Sequence, residues 1–145
     1  MTATTERAAF TPAVGDVLPE LVIEASVRNI VSTAIATRDY QDVHHDIEAA
    51  QTRGSKTIFT NILTSNGYCI RFVTDWTGPE AVVKHAKIRL GVPNYAGDTM
   101  TMTGEVTEVE QTDEGTRVTV AVQGANSLGN HVTGTVTVLM PGEGS

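Results

Sequence analysis

Cysteine, aromatic residues and positive charge are scarce in this sequence of 145 residues. The single cysteine, Cys69, excludes an internal disulfide bond and any zinc site built from several cysteines. Because Cys69 lies in an apolar stretch, we expect a buried and unreactive thiol. Ten basic against 17 acidic residues give a net charge of −7, which argues against binding to nucleic acid, because such proteins carry a basic face.

Long apolar runs are also absent from the sequence. No run approaches the roughly 18–20 residues of a membrane-spanning helix, and residues 1–12 lack the apolar segment of a signal peptide. We therefore expect a cytoplasmic protein that does not bind membranes. The length suits one domain, which we place at residues 13–140, with a flexible extension at residues 1–12 and a short tail at residues 141–145.

Alternating apolar and polar residues in the second half of the chain predict β-strands. Met100, Met102, Gly104 and Val106 fall on one face of the first strand, and the same period of two returns at residues 118–122 and 132–138. Turn-forming residues at 111–115 and 126–130 join these strands, which favours an antiparallel meander. A further strand is predicted over residues 82–92, and an edge strand after the turn at residues 14–16.

Apolar doublets predict one long helix over residues 58–73. These doublets are Ile58–Phe59, Ile62–Leu63, Cys69–Ile70 and Phe72–Val73. A helix of that length spans about 24 Å, which is enough to cross a sheet. A shorter helix is predicted over residues 28–37. The fold class is therefore α+β, with a single buried helix against an antiparallel sheet.

A polar segment at residues 39–46 concentrates side chains that can move protons: Asp39, Asp42, His44 and His45. Asp39 and His44 are close enough in sequence for a loop to point both at one small molecule. A carboxylate and an imidazole that share a water would provide acid–base catalysis, which contributes about 10²–10⁴-fold to a rate. A solvated polar loop is the alternative interpretation. A metal site at His44, His45 and Asp46 would need more ligands than this loop supplies, so we expect no metal.

The order of these residues along the chain resembles that of the MaoC-like, or type 2 (R-specific), enoyl-CoA hydratases. Asp39-x-x-x-x-His44-x-Asp46 precedes Gly54, the long apolar helix, and Gly97-Asp98-Thr99 before a strand. The resemblance covers nearly the whole chain and implies a single hotdog fold, in which a curved antiparallel sheet wraps around one long central helix. It implies that Asp39 and His44 form the catalytic pair, and that no cofactor is needed because coenzyme A is part of the substrate.

One branch of this family is more similar still, namely the small subunits of the actinobacterial heteromeric steroid side-chain hydratases. The similar segments are IVSTAIATRD at 30–39, DVHHD at 42–46, GSK at 54–56, TDW at 74–76, RLGVP at 89–93 and NSLG at 126–129. The resemblance implies a partner, a larger subunit carrying a second MaoC-like hotdog domain, in a heterotetramer of two large and two small subunits that can bridge to a thiolase-like aldolase. The implied reaction, in cholesterol side-chain degradation, is hydration of an unsaturated steroid-CoA thioester of the 3-oxo-4,17-pregnadiene-20-carboxyl-CoA type to its 17-hydroxy product.

Hydration of a double bond conjugated to a thioester builds negative charge on the thioester oxygen, which the site must stabilise. Backbone N–H groups at the start of the long helix suit this task, and Thr57, Thr60 and Asn61 are the candidates. Asp39 is assigned as the base, with His44 orienting the water and relaying the proton; the sequence does not decide this division. Four basic residues are candidates for contacts with the phosphates of coenzyme A: Lys56, Lys84, Lys87 and Arg89.

The sequence departs from the family pattern at three places. Arg38 replaces a glycine before the catalytic aspartate, Gln41-Asp42 replaces Asn-Pro, and Thr60-Asn61 replaces His-Gly at the start of the long helix. These departures favour an alternative, a non-catalytic hotdog subunit that completes a partner's acyl-CoA site, whereas retention of Asp39 and His44 opposes it. A thioesterase on the same fold is disfavoured, because the Asp-x-x-x-x-His-x-Asp arrangement is that of the hydratases.

Overall fold

The structure is a computed structural model that describes residues 10–142. Its helices are α1 (Val27–Ala36), α2 (Ile47–Thr52) and α3 (Ile62–Thr77), and its strands are β1 (Leu21–Glu24), β2 (Val82–Leu90), β3 (Thr99–Thr112), β4 (Gly115–Asn126) and β5 (Gly129–Pro141). β1 and the helices precede the other four strands along the chain. Of the predicted extension and tail, residues 1–9 and 143–145 lie outside the described part of the chain.

The strands form one antiparallel sheet in the order β1-β3-β4-β5-β2. Two-residue turns at residues 113–114 and 127–128 join β3 to β4 and β4 to β5, which confirms the predicted meander. Register shifts within the β3–β4 and β2–β5 pairs mark β-bulges, which increase the local bend and twist of a sheet. One face of the sheet supplies most of the core: Met100, Met102, Val106, Val118, Val120, Val122, Val132, Val136 and Val138.

Helix α3 covers this apolar face and contacts β2, β4 and β5. Its residues Cys69, Phe72 and Val73 are buried against the sheet. Gly104 in β3 allows the helix to approach closely, because a Cβ at that position would lie 2.7 Å from Cε1 of Phe72. A curved antiparallel sheet around one long helix is the hotdog fold, so the predicted fold class is confirmed.

The structure corrects the predicted position of the long helix, which begins at Ile62 rather than at Ile58. Ile58 and Phe59 are extended instead: Phe59 forms a β-bridge with Tyr95, and the Ile58 carbonyl accepts from the Ala96 N–H. Ile58 is buried in the core and Phe59 is half-buried in the cavity wall, and an apolar doublet alone does not distinguish an extended segment from a helical one. The helix ends at Thr77, where Gly78 takes a φ of +96°.

The first half of the chain contains one helix that was predicted and one that was not. α1 matches the prediction for residues 28–37, whereas no helix was predicted at the position of α2. Asp46, the last residue of the Asp-x-x-x-x-His-x-Asp pattern, caps α2 by accepting a hydrogen bond from the Ala49 N–H at 3.0 Å. Within residues 10–142, none of the helices combines the length and the apolar character that crossing a bilayer requires.

Cys69 is expected to be unreactive in the folded protein. The residue has no exposed surface on α3, and burial raises the pKa of its thiol to about 11. Because the thiolate is the reactive form, we expect no modification by an aromatic disulfide reagent at about pH 8 in the native state, and one modified thiol per chain after unfolding. Cys69→Ala, which has no thiol, gives the background signal of the reagent. Fast modification of the native protein would contradict the tight packing of α3 on the sheet.

Candidate active site

Asp39 and His44 line the same cavity, which has a volume of about 390 Å³ and lies at the N-terminal end of α3. The Asp39 Oδ2 and His44 Nε2 atoms are 3.5 Å apart. The structure therefore brings together the two residues that the sequence pattern selected as the catalytic pair. The other residues of the cavity wall are Gln41, Phe59, Thr60, Asn61, Ile62, Leu90, Gly91, Val92, Pro93 and His131.

The C-terminal end of α1 positions Asp39. The Arg38 N–H donates to the Ile35 carbonyl at 3.0 Å, and the Asp39 N–H donates to the Ala34 carbonyl at 2.9 Å. These two bonds form a Schellman motif, in which the residue after the helix cap takes a left-handed conformation. That residue is Arg38, with a φ of +57°. Arg38 thus adopts a left-handed backbone conformation of the kind that glycine takes most easily, which explains how this departure from the family pattern is accommodated.

The short 3₁₀ turn Asp42–His44 positions the imidazole. His44 Nδ1 lies 2.7 Å from the Phe59 carbonyl oxygen, which can only accept, so Nδ1 carries the proton. In the neutral ring the lone pair is then on Nε2, the atom that faces Asp39. The Phe59 ring packs edge-to-face on the imidazole, with centroids 4.9 Å apart, and His44 is buried. Both the tautomer and the orientation of the ring are therefore set.

The surroundings of Asp39 favour its ionised form. Asn61 Nδ2 donates to Oδ2 at 3.0 Å, and the Gln41 N–H donates to Oδ1 at 3.3 Å. The Asn61 hydrogen bond is the main cause that holds the pKa of Asp39 below its ordinary value; the Gln41 hydrogen bond and the nearby His44 add to it, while desolvation opposes them. The site thus presents a carboxylate beside an imidazole nitrogen.

Two acceptors that face one space can hold a single water. A water between Asp39 Oδ2 and His44 Nε2 would donate one hydrogen to each and keep a lone pair directed into the cavity. As that lone pair attacks a carbon atom, one of the two groups removes a proton, and the pair can deliver a proton to the neighbouring carbon. The geometry is suited to adding water across a double bond. Residues 10–142 contain no cluster of His, Cys, Asp and Glu that could hold a metal ion.

Backbone N–H groups without an acceptor lie at the start of α3, but not at all the residues predicted to donate to a thioester oxygen. The Thr60 N–H already donates to the Asn94 carbonyl at 3.0 Å, and Thr57 does not line the cavity. Both predictions followed from placing the helix start too early. In the described part of the chain, the Asn61 and Ile62 N–H groups have no acceptor, and both residues line the cavity. Asn61 remains a candidate, and Ile62 joins it.

The four basic residues predicted to contact coenzyme A do not gather around this cavity. Lys56 borders a separate depression of about 360 Å³, beside Tyr95 and Asp98. Lys84 Nζ lies 4.0 Å from Glu114 Oε2, towards the other end of β2. Lys87 and Arg89 alternate along β2 with Ala86 and Ile88, which pack on the core, so the basic pair points away from α3. Contacts between these residues and coenzyme A stay a prediction.

Two buried polar groups near the cavity were not found from the sequence. His131 lies in β5; its Nδ1 is 2.7 Å from the Val92 carbonyl oxygen and its Nε2 is 2.7 Å from Ser65 Oγ. Burial lowers the pKa of His131, which favours the neutral ring. Asn94 donates to Thr60 Oγ1 and accepts from the Asn126 side chain. Nothing in the sequence around either residue indicates that it is buried or that it lies near the cavity.

The chain is similar in sequence and in fold to known proteins. No protein-family model matches the chain. The 3-oxo-4,17-pregnadiene-20-carboxyl-CoA hydratase beta subunit of Mycobacterium tuberculosis is 56% identical over 127 residues, which are 88% of this chain and 95% of that protein. A chain of the ChsH1-ChsH2 complex from M. tuberculosis is 55% identical with a TM-score of 0.84, over 90% of this chain and 99% of that chain. An (R)-hydratase from A. caviae involved in PHA biosynthesis is 19% identical with a TM-score of 0.78, over 92% of this chain and 100% of that chain, which shows the fold alone.

Proposed function

The chain belongs to the MaoC-like enoyl-CoA hydratase family, and we propose that it is the catalytic small subunit of a steroid side-chain hydratase. The proposed substrate is an α,β-unsaturated steroid-CoA thioester of the 3-oxo-4,17-pregnadiene-20-carboxyl-CoA type, which gains water to become the 17-hydroxy product. The name of the similar beta subunit from M. tuberculosis supports this substrate. Such a reaction belongs to the degradation of the cholesterol side chain.

The observation that carries a catalytic role is the pairing of Asp39 with His44. Their acceptor atoms lie 3.5 Å apart, and each is held by a separate contact: Asp39 by Asn61 and His44 by the Phe59 carbonyl. A subunit that only completed a partner's site would have no need for two oriented proton-transfer groups in its own cavity. This arrangement therefore favours catalysis over the non-catalytic alternative.

The proposed reaction adds the water oxygen to the β-carbon and a proton to the α-carbon of the thioester. His44 orients the water, and Asp39 takes a proton from it as the water oxygen attacks the β-carbon. That proton passes from Asp39 to His44 Nε2, which delivers it to the α-carbon. Negative charge that develops on the thioester oxygen is stabilised by the free N–H groups of Asn61 and Ile62, where the positive end of the α3 dipole adds to the effect. No net proton is gained or lost by the enzyme.

The shape of the cavity suggests that a second subunit completes it. Five residues of its wall, Phe59, Ile62, Leu90, Val92 and Pro93, offer apolar surface to a steroid. The cavity of this chain alone, about 390 Å³, lies near the lower limit for drug-sized ligands. β2 is an outer strand of the sheet with one open edge, which pairing with another hotdog domain would cover. The proposed partner is a larger subunit with its own MaoC-like domain, in a heterotetramer that can bridge to a thiolase-like aldolase.

The proposal is tested by measuring the initial hydration rate of the steroid enoyl-CoA thioester with three preparations. These are the complex of this chain with its larger partner, this chain alone, and the partner alone. We expect turnover by the complex and a rate at least about a hundredfold lower for either subunit alone, as for a site that lacks part of its binding surface. A straight-chain enoyl-CoA of similar length provides a substrate control.

Two results would contradict the proposal. Turnover by the partner alone at the rate of the complex would place the chemistry outside this chain. Equal rates on the steroid and the straight-chain thioester would contradict the substrate class, while leaving the hydratase activity of the family intact.

A further inference from the structure

We propose that the side chain of Asn61 is a positioning residue for Asp39, which joins the start of α3 to the carboxylate that handles the water. The sequence predicts only a backbone N–H as the contribution of Asn61. In the structure its carboxamide makes contacts of its own at the site. The effect on turnover rests on the proposed function, whereas the effect on Asp39 itself can be measured without any substrate.

Every polar atom of the Asn61 carboxamide has a partner. Nδ2 donates one hydrogen to Asp39 Oδ2 at 3.0 Å and the other to Thr37 Oγ1 at 2.9 Å. Oδ1 accepts from the Thr64 N–H at 3.1 Å. Because a backbone N–H only donates and a carboxylate only accepts, the two ends of the carboxamide cannot be exchanged. The residue is 2% exposed, so water is largely kept from these contacts.

These contacts tie three parts of the site together. Thr37 caps the C-terminal end of α1 and donates from its Oγ1 to the Thr33 carbonyl at 2.9 Å, so one of the Asn61 bonds is anchored on α1. The bond to Thr64 anchors Asn61 on the first turn of α3. Asp39 lies between these anchors, and the oxygen that Asn61 holds is the one that faces His44. The rotation of the carboxylate is therefore set from α3.

Asn61 also differs from the family pattern, in which the start of the long helix carries a histidine followed by a glycine. Glycine has no side chain and offers only its backbone to the site. Asn61 lines the cavity, has a backbone N–H without an acceptor in the described part of the chain, and adds a side-chain donor to the carboxylate. A change at this residue therefore alters the geometry of Asp39, even though the Asn61 side chain does not have to touch the substrate.

Removal of the Asn61 donor is expected to raise the pKa of Asp39. The Asn61 hydrogen bond lowers the pKa of Asp39, because it stabilises the carboxylate more than the protonated acid. Without it the pKa rises, and the carboxylate is lost at a higher pH than in the wild type. The acid limb of the pH profile of kcat/KM for hydration should then move to higher pH, because this limb follows groups that must be ionised in the free enzyme.

Three variants separate positioning from helix capping. Asn61→Ser keeps an oxygen that can accept from the Thr64 N–H, but its side chain is too short to donate to Asp39. Asn61→Asp keeps the cap as well and replaces the donor by a second carboxylate, which raises the pKa of Asp39 further. Ser26→Ala is the matched control, because it removes the cap of α1, where Ser26 Oγ accepts from the Asn29 N–H at 3.0 Å, and lies outside the cavity wall.

The experiment uses the complex with the larger subunit. For Asn61→Ser we expect kcat to fall about tenfold or more while KM stays within about twofold, as for a misplaced catalytic group. The acid limb should move to higher pH, and Asn61→Asp should move it further. A carbon-13 NMR titration, with the Asp39 signal assigned through Asp39→Asn, should show the same rise in pKa. Ser26→Ala should leave kcat and the acid limb unchanged.

The inference is overturned if Asn61→Ser keeps the kcat and the acid limb of the wild type, because Asn61 would then be a helix cap and nothing more. It is equally overturned if the NMR titration shows no rise in the pKa of Asp39. A wild-type complex without hydratase activity would contradict the proposed function, and the NMR titration would still decide whether Asn61 controls Asp39.

Discussion

Asp39→Asn and His44→Ala are each expected to lower the hydration rate of the steroid enoyl-CoA thioester by at least about a hundredfold, within the range that acid–base catalysis contributes. Asp39→Asn is nearly isosteric but removes the negative charge and the strongest acceptor for the water. His44→Ala removes the nitrogen that lies 3.5 Å from the carboxylate. Each variant therefore leaves a cavity that still admits substrate but holds no oriented water, so kcat should fall far more than KM rises.

The polar segment at residues 39–46 also supplies matched controls for Asp39→Asn and His44→Ala. His45 is exposed and its Nε2 lies 3.1 Å from the Tyr40 carbonyl oxygen, whereas Asp42 is paired with Arg53 at 2.9 Å. Neither residue lines the cavity. His45→Ala and Asp42→Asn should therefore retain rates within about threefold of the wild type, as expected for substitutions outside a catalytic site. If Asp39→Asn and His44→Ala match these controls, the chemistry lies on the partner and this chain is a non-catalytic subunit.

The fold was predictable because its strands follow the period of two closely. Met100, Met102 and Val106 alternate with polar residues, and the two turns between the last three strands have suitable sequences. The start of α3 was not predictable from the same kind of pattern. Ile58 and Phe59 are apolar for reasons of packing, and the hydrogen bonds to Val43 and Ala96 that keep them extended come from distant segments.

The candidate site was predictable where its residues are close in sequence. Asp39 and His44 share one loop, so their spacing and the resemblance to the hydratases were enough to select them. Asn61 was selected for its backbone, and the contact of its side chain with Asp39 depends on how the end of α1 meets the start of α3. His131 reaches the cavity wall only through the position of β5 in the sheet. Such contacts arise from tertiary structure, and no local pattern encodes them.

Phe72→Ala is expected to lower the free energy of unfolding by about 3–5 kcal/mol, the range for removing a buried phenylalanine side chain. Phe72 is 2% exposed on α3 and its ring lies over Gly104. Because Gly104 has no side chain, it cannot fill the space that the ring leaves. Urea unfolding of the assembled complex, followed by circular dichroism at a fixed protein concentration, measures the change. Leu63→Ala on the same helix is the control, because Leu63 is 51% exposed and its loss should cost far less.

Gly104→Ala provides the second half of this test, because it shows whether Phe72 is in rigid contact with β3. A Cβ at Gly104 would lie 2.7 Å from Phe72 Cε1 and 2.8 Å from the Ala121 carbonyl oxygen, so Gly104→Ala should also destabilise the fold. Phe72→Ala removes the first of these clashes and leaves the second, which lies within the sheet. The loss in the free energy of unfolding should therefore be smaller in the double variant than the sum of the two single losses. The double variant should still be less stable than the wild type. Strict additivity would contradict the contact between α3 and β3, and with it the packing that holds α3 and the Asn61 cap beside Asp39.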